Sequence, residues 1–421
     1  MDLQTLALHA GYEKDTQGTM AVPIYMSTAY EFRDVEHAAN LFSLKELGNI
    51  YTRLNNPTTD VFEKRFAALE GGVASLATSS GMSAIFFAIV NSAESGDNVI
   101  CASQLYGGSL TLNTHTLKRF GIEPRFFDVH NLEQMESLID DKTKVIFFES
   151  LTNPSIDVAD IQAISEIANK YGILTVVDNT VATPVICRPF EFGADITVHS
   201  ASKYTTGQGL AIGGILVERH NLKDKLKNNP RYAHFNEPDA SYQGLIYTDL
   251  DLPPFTLRAR LSLLRDLGAV NSPFNSWLFI QGMEHLSIRM REHSKNAQKL
   301  AEFLETHPKV KKVNYPGLKS NSNYEMAKKY FTDGLCSGLL SFELDSLEEA
   351  TKVVDATKLY SLVVNIGDSK SIITHPASTT HQQLNEKELI ACGVPSGLIR
   401  ISCGLESSND LISDMKQALD A

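Results

Sequence analysis

Short apolar runs separated by amphipathic stretches dominate the chain from about Asn56 onward. Val99-Ile100-Cys101-Ala102, Arg125-Phe126-Phe127, Lys144-Val145-Ile146-Phe147-Phe148 and Ile173-Leu174-Thr175-Val176-Val177 are rich in β-branched and aromatic residues and do not alternate with polar ones. Runs of that kind predict strands buried on both faces, as in a parallel sheet. Between the last two, Ile161, Ile164, Ile167 and Ala168 recur at helical spacing, and Gly172 supplies the stop. Strand–helix alternation predicts an α/β fold, its sheet mostly parallel, with helices on both faces.

The two ends read differently. The first fifty or so residues show weak periodicity, with turn-formers at Gly11, Gly18 and Pro23, and predict an extended arm. After Asn271 a long helical stretch, Trp277 to Leu304, carries Leu278, Phe279, Met283, Leu286 and Met290 on one face, and Gly338 to Glu343 follows as a short strand. This divides the chain into an arm (1–55), a large α/β domain (56–269) and a smaller α+β domain (270–421).

Composition narrows the function classes. The chain has 421 residues, 43% hydrophobic and 21% charged, which is ordinary for a globular protein. A net charge of −12 argues against nucleic-acid or anionic-membrane partners, which need clustered Lys and Arg. The longest apolar stretch, Ala84 to Val90, is far too short to span a bilayer. Met1-Asp2-Leu3-Gln4 lacks a basic leader, so a cytoplasmic protein is expected. The five cysteines (Cys101, Cys187, Cys336, Cys392, Cys403) form no CxxC pair and read as reduced. His375 and His381 have no further ligand at metal spacing, so no metal is expected.

Two apolar runs end in chemistry. Ile173 to Val177 leads into Asp178, and Val198-His199-Ser200-Ala201-Ser202-Lys203-Tyr204 delivers Lys203. Ligands on parallel sheets bind beyond the carboxyl ends of the strands. A carboxylate and an amine there suit pyridoxal phosphate (PLP): lysine closes a Schiff base, and aspartate keeps the pyridine nitrogen protonated so that the ring is an electron sink. A buried Asp–Lys pair, or a lysine in a surface loop, fits the same two residues. Ser79-Ser80-Gly81-Met82-Ser83-Ala84 precedes a helical run and offers free N–H groups to a phosphate, although an ordinary capped helix has the same pattern. Ser200 and Ser202 are further hydroxyl donors, and Tyr51-Thr52-Arg53 adds a phenol and a guanidinium, or is plain surface. Tyr106, followed by Gly107-Gly108, suits ring stacking or the core. Arg400, isolated in the apolar run Leu398-Ile399-Arg400-Ile401, suits a substrate carboxylate or a structural salt bridge. Gly207-Gln208-Gly209 lacks the spacing of a dinucleotide loop.

Along essentially its whole length the chain resembles the γ-family of PLP-dependent enzymes of cysteine and methionine metabolism. The likeness rests on Tyr51-Thr52-Arg53-Leu54-Asn55-Asn56-Pro57-Thr58, Ser80-Gly81-Met82, Tyr106-Gly107-Gly108, Ser150-Leu151-Thr152-Asn153-Pro154, Val177-Asp178-Asn179-Thr180, His199-Ser200 with Ser202-Lys203-Tyr204, and Leu398-Ile399-Arg400. Within the family, Arg265 to Ala269, Ser272 to Asn275, Gln281 to Glu284, Arg289-Met290 and an insertion beginning at Phe235 are similar to the subgroup acting on O-acetylhomoserine. Asn365-Ile366-Gly367-Asp368 stands where lyases of the family carry a Ser-Leu-Gly-Gly turn.

The resemblance implies a fold type I PLP-dependent transferase. It implies Lys203, Asp178 and Tyr106 as catalytic residues, Gly81, Met82, Ser200 and Ser202 on the phosphate, and Asn153, Asn365 and Arg400 on the substrate. Tyr51 and Arg53 would reach the phosphate of a neighbouring subunit, within a homotetramer of site-sharing dimers. The implied reaction is γ-replacement, turning O-acetyl-L-homoserine and sulfide, or another thiol, into L-homocysteine and acetate for methionine biosynthesis. Alternatives are a cystathionine γ-synthase, a methionine or cystathionine γ-lyase, and an inactive scaffold of the same fold. The insertion from Phe235 to Leu264 is expected to crowd the site entrance.

Overall fold

The computed structural model describes residues 1–379, Gln382, Leu389 and 393–421. His381 and Cys392 lie outside the described residues.

The apolar runs assemble into one sheet of seven strands: β1 (Gly72–Thr78), β2 (Asn98–Ala102), β3 (Glu123–Phe127), β4 (Thr143–Glu149), β5 (Leu174–Asp178), β6 (Ile196–Ser200) and β7 (Gly214–Arg219). Their spatial order is β1-β7-β6-β5-β4-β2-β3. The block β6-β5-β4-β2-β3 is parallel throughout. Only β7 runs the other way, antiparallel to both β1 and β6. Six carboxyl ends therefore share one edge, where helix N-termini and loops bring polar groups together. Val145 to Phe148 in β4 are completely buried, as helices on both faces require. Each such side chain contributes about 1.5–3 kcal/mol of burial free energy.

The helix Ile161–Lys170 turns Ile161, Ile164 and Ala168 inward, and the Asp160 carboxylate caps its start by accepting from the Ala163 amide at 3.2 Å. Gly172 follows its end at φ 66°, a conformation that favours glycine. β1 escapes the apolar pattern, because it mixes Ser and Thr among small residues and is only partly buried.

A second sheet has five short strands: β8 (Lys312–Asn314), β9 (Leu339–Glu343), β10 (Ser361–Leu362), β11 (Ile372–Thr374) and β12 (Leu398–Ser402). In the order β10-β11-β12-β9-β8, β12 lies between β11 and β9, so Arg400 stands opposite Thr374 and Ser341.

Two expectations change. The stretch Trp277 to Leu304 is not one helix but two, Pro273–Glu284 and Leu286–Glu305, divided at His285 (φ −111°, ψ 6°). The first comes so close to the chain after Lys203 that a Cβ on Gly282 would stand 2.1 Å from the Thr205 carbonyl oxygen. A uniform apolar face does not reveal such a break, because the local period persists on both sides. The arm is also less featureless than expected. Its helix Leu3–His9 packs Ala7 into a core shared with Phe62 and Phe66, and a second helix spans Val35–Phe42.

Candidate functional site

A cavity of about 240 Å³ opens at the carboxyl edge of the large sheet. β4 and β5 end side by side in its floor, with Glu149 opposite Asp178 in register. Asp178 accepts from the Thr180 amide at 2.9 Å. Burial pushes its carboxyl above the usual range, against hydrogen bonds from Thr180 that pull it down. Glu149 is pushed up further, first by burial and then by the charge of Asp178. Among the described residues neither acid has a Lys or Arg partner at ion-pair distance, so the floor is acidic, with the charge of His199 set against Asp178.

Lys203 reaches the same cavity from the turn after β6, at a residue whose backbone (φ −95°, ψ −127°) departs from the helical geometry around it. Its Nζ donates to Asn365 Oδ1 at 2.5 Å. Burial, and then the charge of Arg400, hold this amine below the usual lysine range. Arg400 donates to Asn153 Oδ1 at 3.1 Å, to the Asn365 carbonyl at 2.9 Å and to Thr374 Oγ1 at 3.3 Å. Among the described residues its Nε is buried without a partner, and burial lowers the guanidinium to about 10. No carboxylate pairs with it among the described residues, which removes the structural salt bridge as its explanation. A buried guanidinium with only neutral acceptors is built to meet an anion from outside.

The opposite wall starts the helix Gly81–Val90, whose cap Ser80 accepts from the Ser83 amide at 3.1 Å. The Gly81 and Met82 amides precede the first intrahelical bond and border the cavity. A side chain at Gly81 would run into Ser200, its Cβ only 2.7 Å from the Ser200 Cβ, so glycine is what lets β6 approach the helix. Ser200 and Ser202 line this wall, and the Ser202 hydroxyl accepts from the Gly213 amide at 3.0 Å. The half-exposed Tyr106 ring folds back over Gly108, where a Cβ would lie 2.6 Å from the ring. The Tyr106 amide donates to Glu149 Oε1 at 2.6 Å, and the Asn153 amide to Glu149 Oε2 at 3.0 Å.

These features fit PLP: an anion wall for its phosphate, an acidic floor for a cationic ring nitrogen, a ring at the mouth and a lysine of lowered pKa within the cavity. Lys203, Asp178, Tyr106, Gly81, Met82, Ser200, Ser202, Asn153, Asn365 and Arg400 all border one cavity. Tyr51 and Arg53 do not. The Arg53 guanidinium lies over the ring of its own Tyr51 at 5.3 Å and donates to the Arg265 carbonyl. The insertion does not crowd the entrance either, since no residue from 235 to 264 lines the cavity. Phe235, Tyr247 and Phe255 are buried instead, Phe235 stacked on Phe255 at 6.0 Å, and Thr256 is tied to Glu218 of β7 at 2.8 Å. Apolar burial outweighs exposure at a polar mouth.

Two polar cavity residues had been given no role, Glu149 and Thr180. Glu149 ends an apolar run just as Asp178 does, and that signal was in plain view.

The sequence matches the Cys/Met metabolism PLP-dependent enzymes over residues 4–420. It is 47% identical to the O-acetyl-L-homoserine sulfhydrylase of Leptospira meyeri, over 99% of this chain and 96% of that one. Identity to the homocysteine synthase of Schizosaccharomyces pombe is 44%, over 99% and 98%. A solved structure of a putative O-acetylhomoserine (thiol)-lyase from Campylobacter jejuni, holding a pyridoxyl-lysine phosphate, superposes with a TM-score of 0.99 at 53% identity and full coverage of both chains.

Proposed function

The chain belongs to the Cys/Met metabolism family of PLP-dependent enzymes, and from that premise we propose that it exchanges the acetyl ester of O-acetyl-L-homoserine for sulfide, giving L-homocysteine and acetate. The observation that carries a PLP-dependent reaction on an amino acid is the meeting at Asn365 of an amine and a buried cation that lacks an anion, Lys203 and Arg400. The choice of substrate rests on the relatives' names, O-acetyl-L-homoserine sulfhydrylase among them.

When bound, PLP supplies an electrophilic carbon for the substrate amine and a ring that takes up electrons released at Cα. Lys203 Nζ is placed to take the Cα proton and return one, because burial and Arg400 leave more of it unprotonated near neutral pH. Arg400 holds the substrate carboxylate through its free Nε edge, with Asn153 and Asn365 fixing the guanidinium plane. Asp178 would hold the ring nitrogen and Tyr106 would cover the ring. Gly81, Met82, Ser200 and Ser202 would hold the phosphate. With these anchors in place, acetate leaves Cγ and the incoming sulfur bonds there.

Tyr51 and Arg53 serve the phosphate of a second copy, within a homotetramer of site-sharing dimers. In support, the arm stands off its own body across a hollow of about 990 Å³ bordered by Leu41, Leu47, Ile50, Leu257 and Leu261. Residues 1–55 then act as an arm, 56–269 as the cofactor domain and 270–421 as a C-terminal domain, each sheet falling within one of the latter two. The enzyme acts in the cytoplasm. Among the described residues no helix is long and apolar enough to cross a membrane.

The test compares purified protein on O-acetylhomoserine with sulfide, with methanethiol and with cysteine, and on cystathionine and methionine alone. Homocysteine from sulfide should form fastest. Faster cystathionine formation from cysteine would make it a cystathionine γ-synthase, and faster cleavage of the single substrates a γ-lyase.

A further inference from the structure

Glu149 is an expensive residue where it stands. It is 3% exposed, lies beside the half-buried Asp178 in register, and its charge is opposed by both burial and that neighbour. Among the described residues two main-chain N–H groups are its only hydrogen-bond partners, and a neutral acceptor or an ordered water would satisfy either of them. What a neutral group cannot do is accept on two oxygens held rigidly in one plane. Here Oε1 takes the amide of Tyr106 and Oε2 the amide of Asn153. These belong to separate loops, one after β2 and one after β4, and both residues border the cavity.

We propose that Glu149 is a positioning residue: its carboxylate fixes the loop carrying the Tyr106 ring relative to the loop carrying the Asn153 side chain, and so sets the slot into which the cofactor ring fits. The inference rests on the PLP-dependent reading of the cavity. It also explains the like-charged floor. A bound ring carrying a protonated nitrogen would offset one of the two negative charges, so a carboxylate that is unfavourable in the empty protein becomes less so once the cofactor is seated. Asn153 extends the same control to substrate, since its Oδ1 accepts from Arg400 at 3.1 Å.

Glu149→Gln separates positioning from mere structural support. An amide offers one acceptor, so one of the two N–H groups loses its partner and meets an N–H instead. Removing a buried charge beside Asp178 should leave thermal stability of the cofactor-free protein unchanged or raise it. The PLP-loaded variant should show an altered visible circular dichroism band, which reports how the ring is seated. Its kcat at saturating PLP should fall on the order of 100-fold, the effect of an ångström-scale misplacement, with a smaller change in KM. A variant whose visible dichroism and kcat match wild type, whatever its melting temperature, would overturn the proposal. If the Gln variant does not fold, Glu149→Asp decides. It keeps the charge and both acceptors but draws them back by one methylene, so it should fold and still show the altered band and a reduced kcat, and wild-type values of both would overturn the proposal. Failure of the underlying reading looks different, because wild-type protein would then show no visible band on adding PLP. With that band present, an unperturbed variant removes only the role of Glu149.

Discussion

Two arginines, Arg400 in the second sheet and Arg53 in the amino-terminal arm, were both expected to hold an anion, and their surroundings differ in one respect above all. Among the described residues Arg400, buried in the middle of a strand, has three neutral oxygen partners and one N–H unmet. Arg53 rests on its own Tyr51 ring and a main-chain carbonyl, close to solvent. The contrast extends to the regions around them. The site edge of the large sheet gathers its polar groups in one enclosed cavity, whereas Met20, Met26, Val35 and Leu47 of the arm are each more than two-thirds exposed. Burial makes a charge answerable to its surroundings, because an unmatched one destabilises the fold. An exposed arginine carries no such obligation, so one chain defines the role of Arg400 but leaves that of Arg53 to a second copy.

That contrast is broken most directly at Lys203. Lys203→Ala should abolish the visible absorbance of the PLP-loaded protein and lower turnover by at least about 1,000-fold, with far-ultraviolet dichroism unchanged. A persisting band would move the covalent link to another lysine, and the enclosed edge would lose its central member. Asp178→Asn comes next. An amide cannot hold the ring-nitrogen proton, so absorbance should survive while turnover falls on the order of 100- to 1,000-fold. Steady-state rates near wild type would dismiss the acidic floor as an electron-withdrawing device.

Arg400→Lys keeps the charge but not the planar two-point grip. It should raise KM for O-acetylhomoserine about 10-fold or more, with PLP affinity little changed. Loss of PLP at an unchanged KM would turn Arg400 into a structural residue, and the comparison with Arg53 would collapse. The smallest effect is expected from the arm itself. Arg53→Ala should weaken PLP binding by roughly 10-fold, the loss of one charge-assisted contact. The sharper measurement mixes it with Lys203→Ala. After verified subunit exchange at limiting PLP, activity should recover to about a quarter of wild type, the statistical share of sites combining an intact arm with an intact lysine in a closed dimer. No recovery would show that Tyr51 and Arg53 serve their own chain's site, or none.

Much of the cavity was readable because strand ends are a one-dimensional feature. Asp178, Lys203 and Glu149 each follow or close a short apolar run, and in a parallel sheet such positions share an edge wherever the strands come to lie. Gly81 and Gly108 were readable for a second reason, since a glycine before a helix or after an aromatic announces a close approach, and a Cβ at either would collide. The insertion was misplaced because its aromatics look alike whether they cover a mouth or fill a core. Only packing on β7 through Glu218 separates the two.

The sequence by itself determined the alternating fold, the cofactor edge and the residue types gathered there, because strand and helix periods and the ends of apolar runs are local properties of the chain. Tertiary structure alone decided which of those residues meet. Lys203 finds Asn365 from 162 positions away, and Arg400 finds Asn153 from 247. The twin acids of the floor become a pair only when β4 and β5 align. Hydrogen bonds and charge act over a few ångströms in space, and no periodicity along a chain records which distant segments the packing of two sheets will bring within that range.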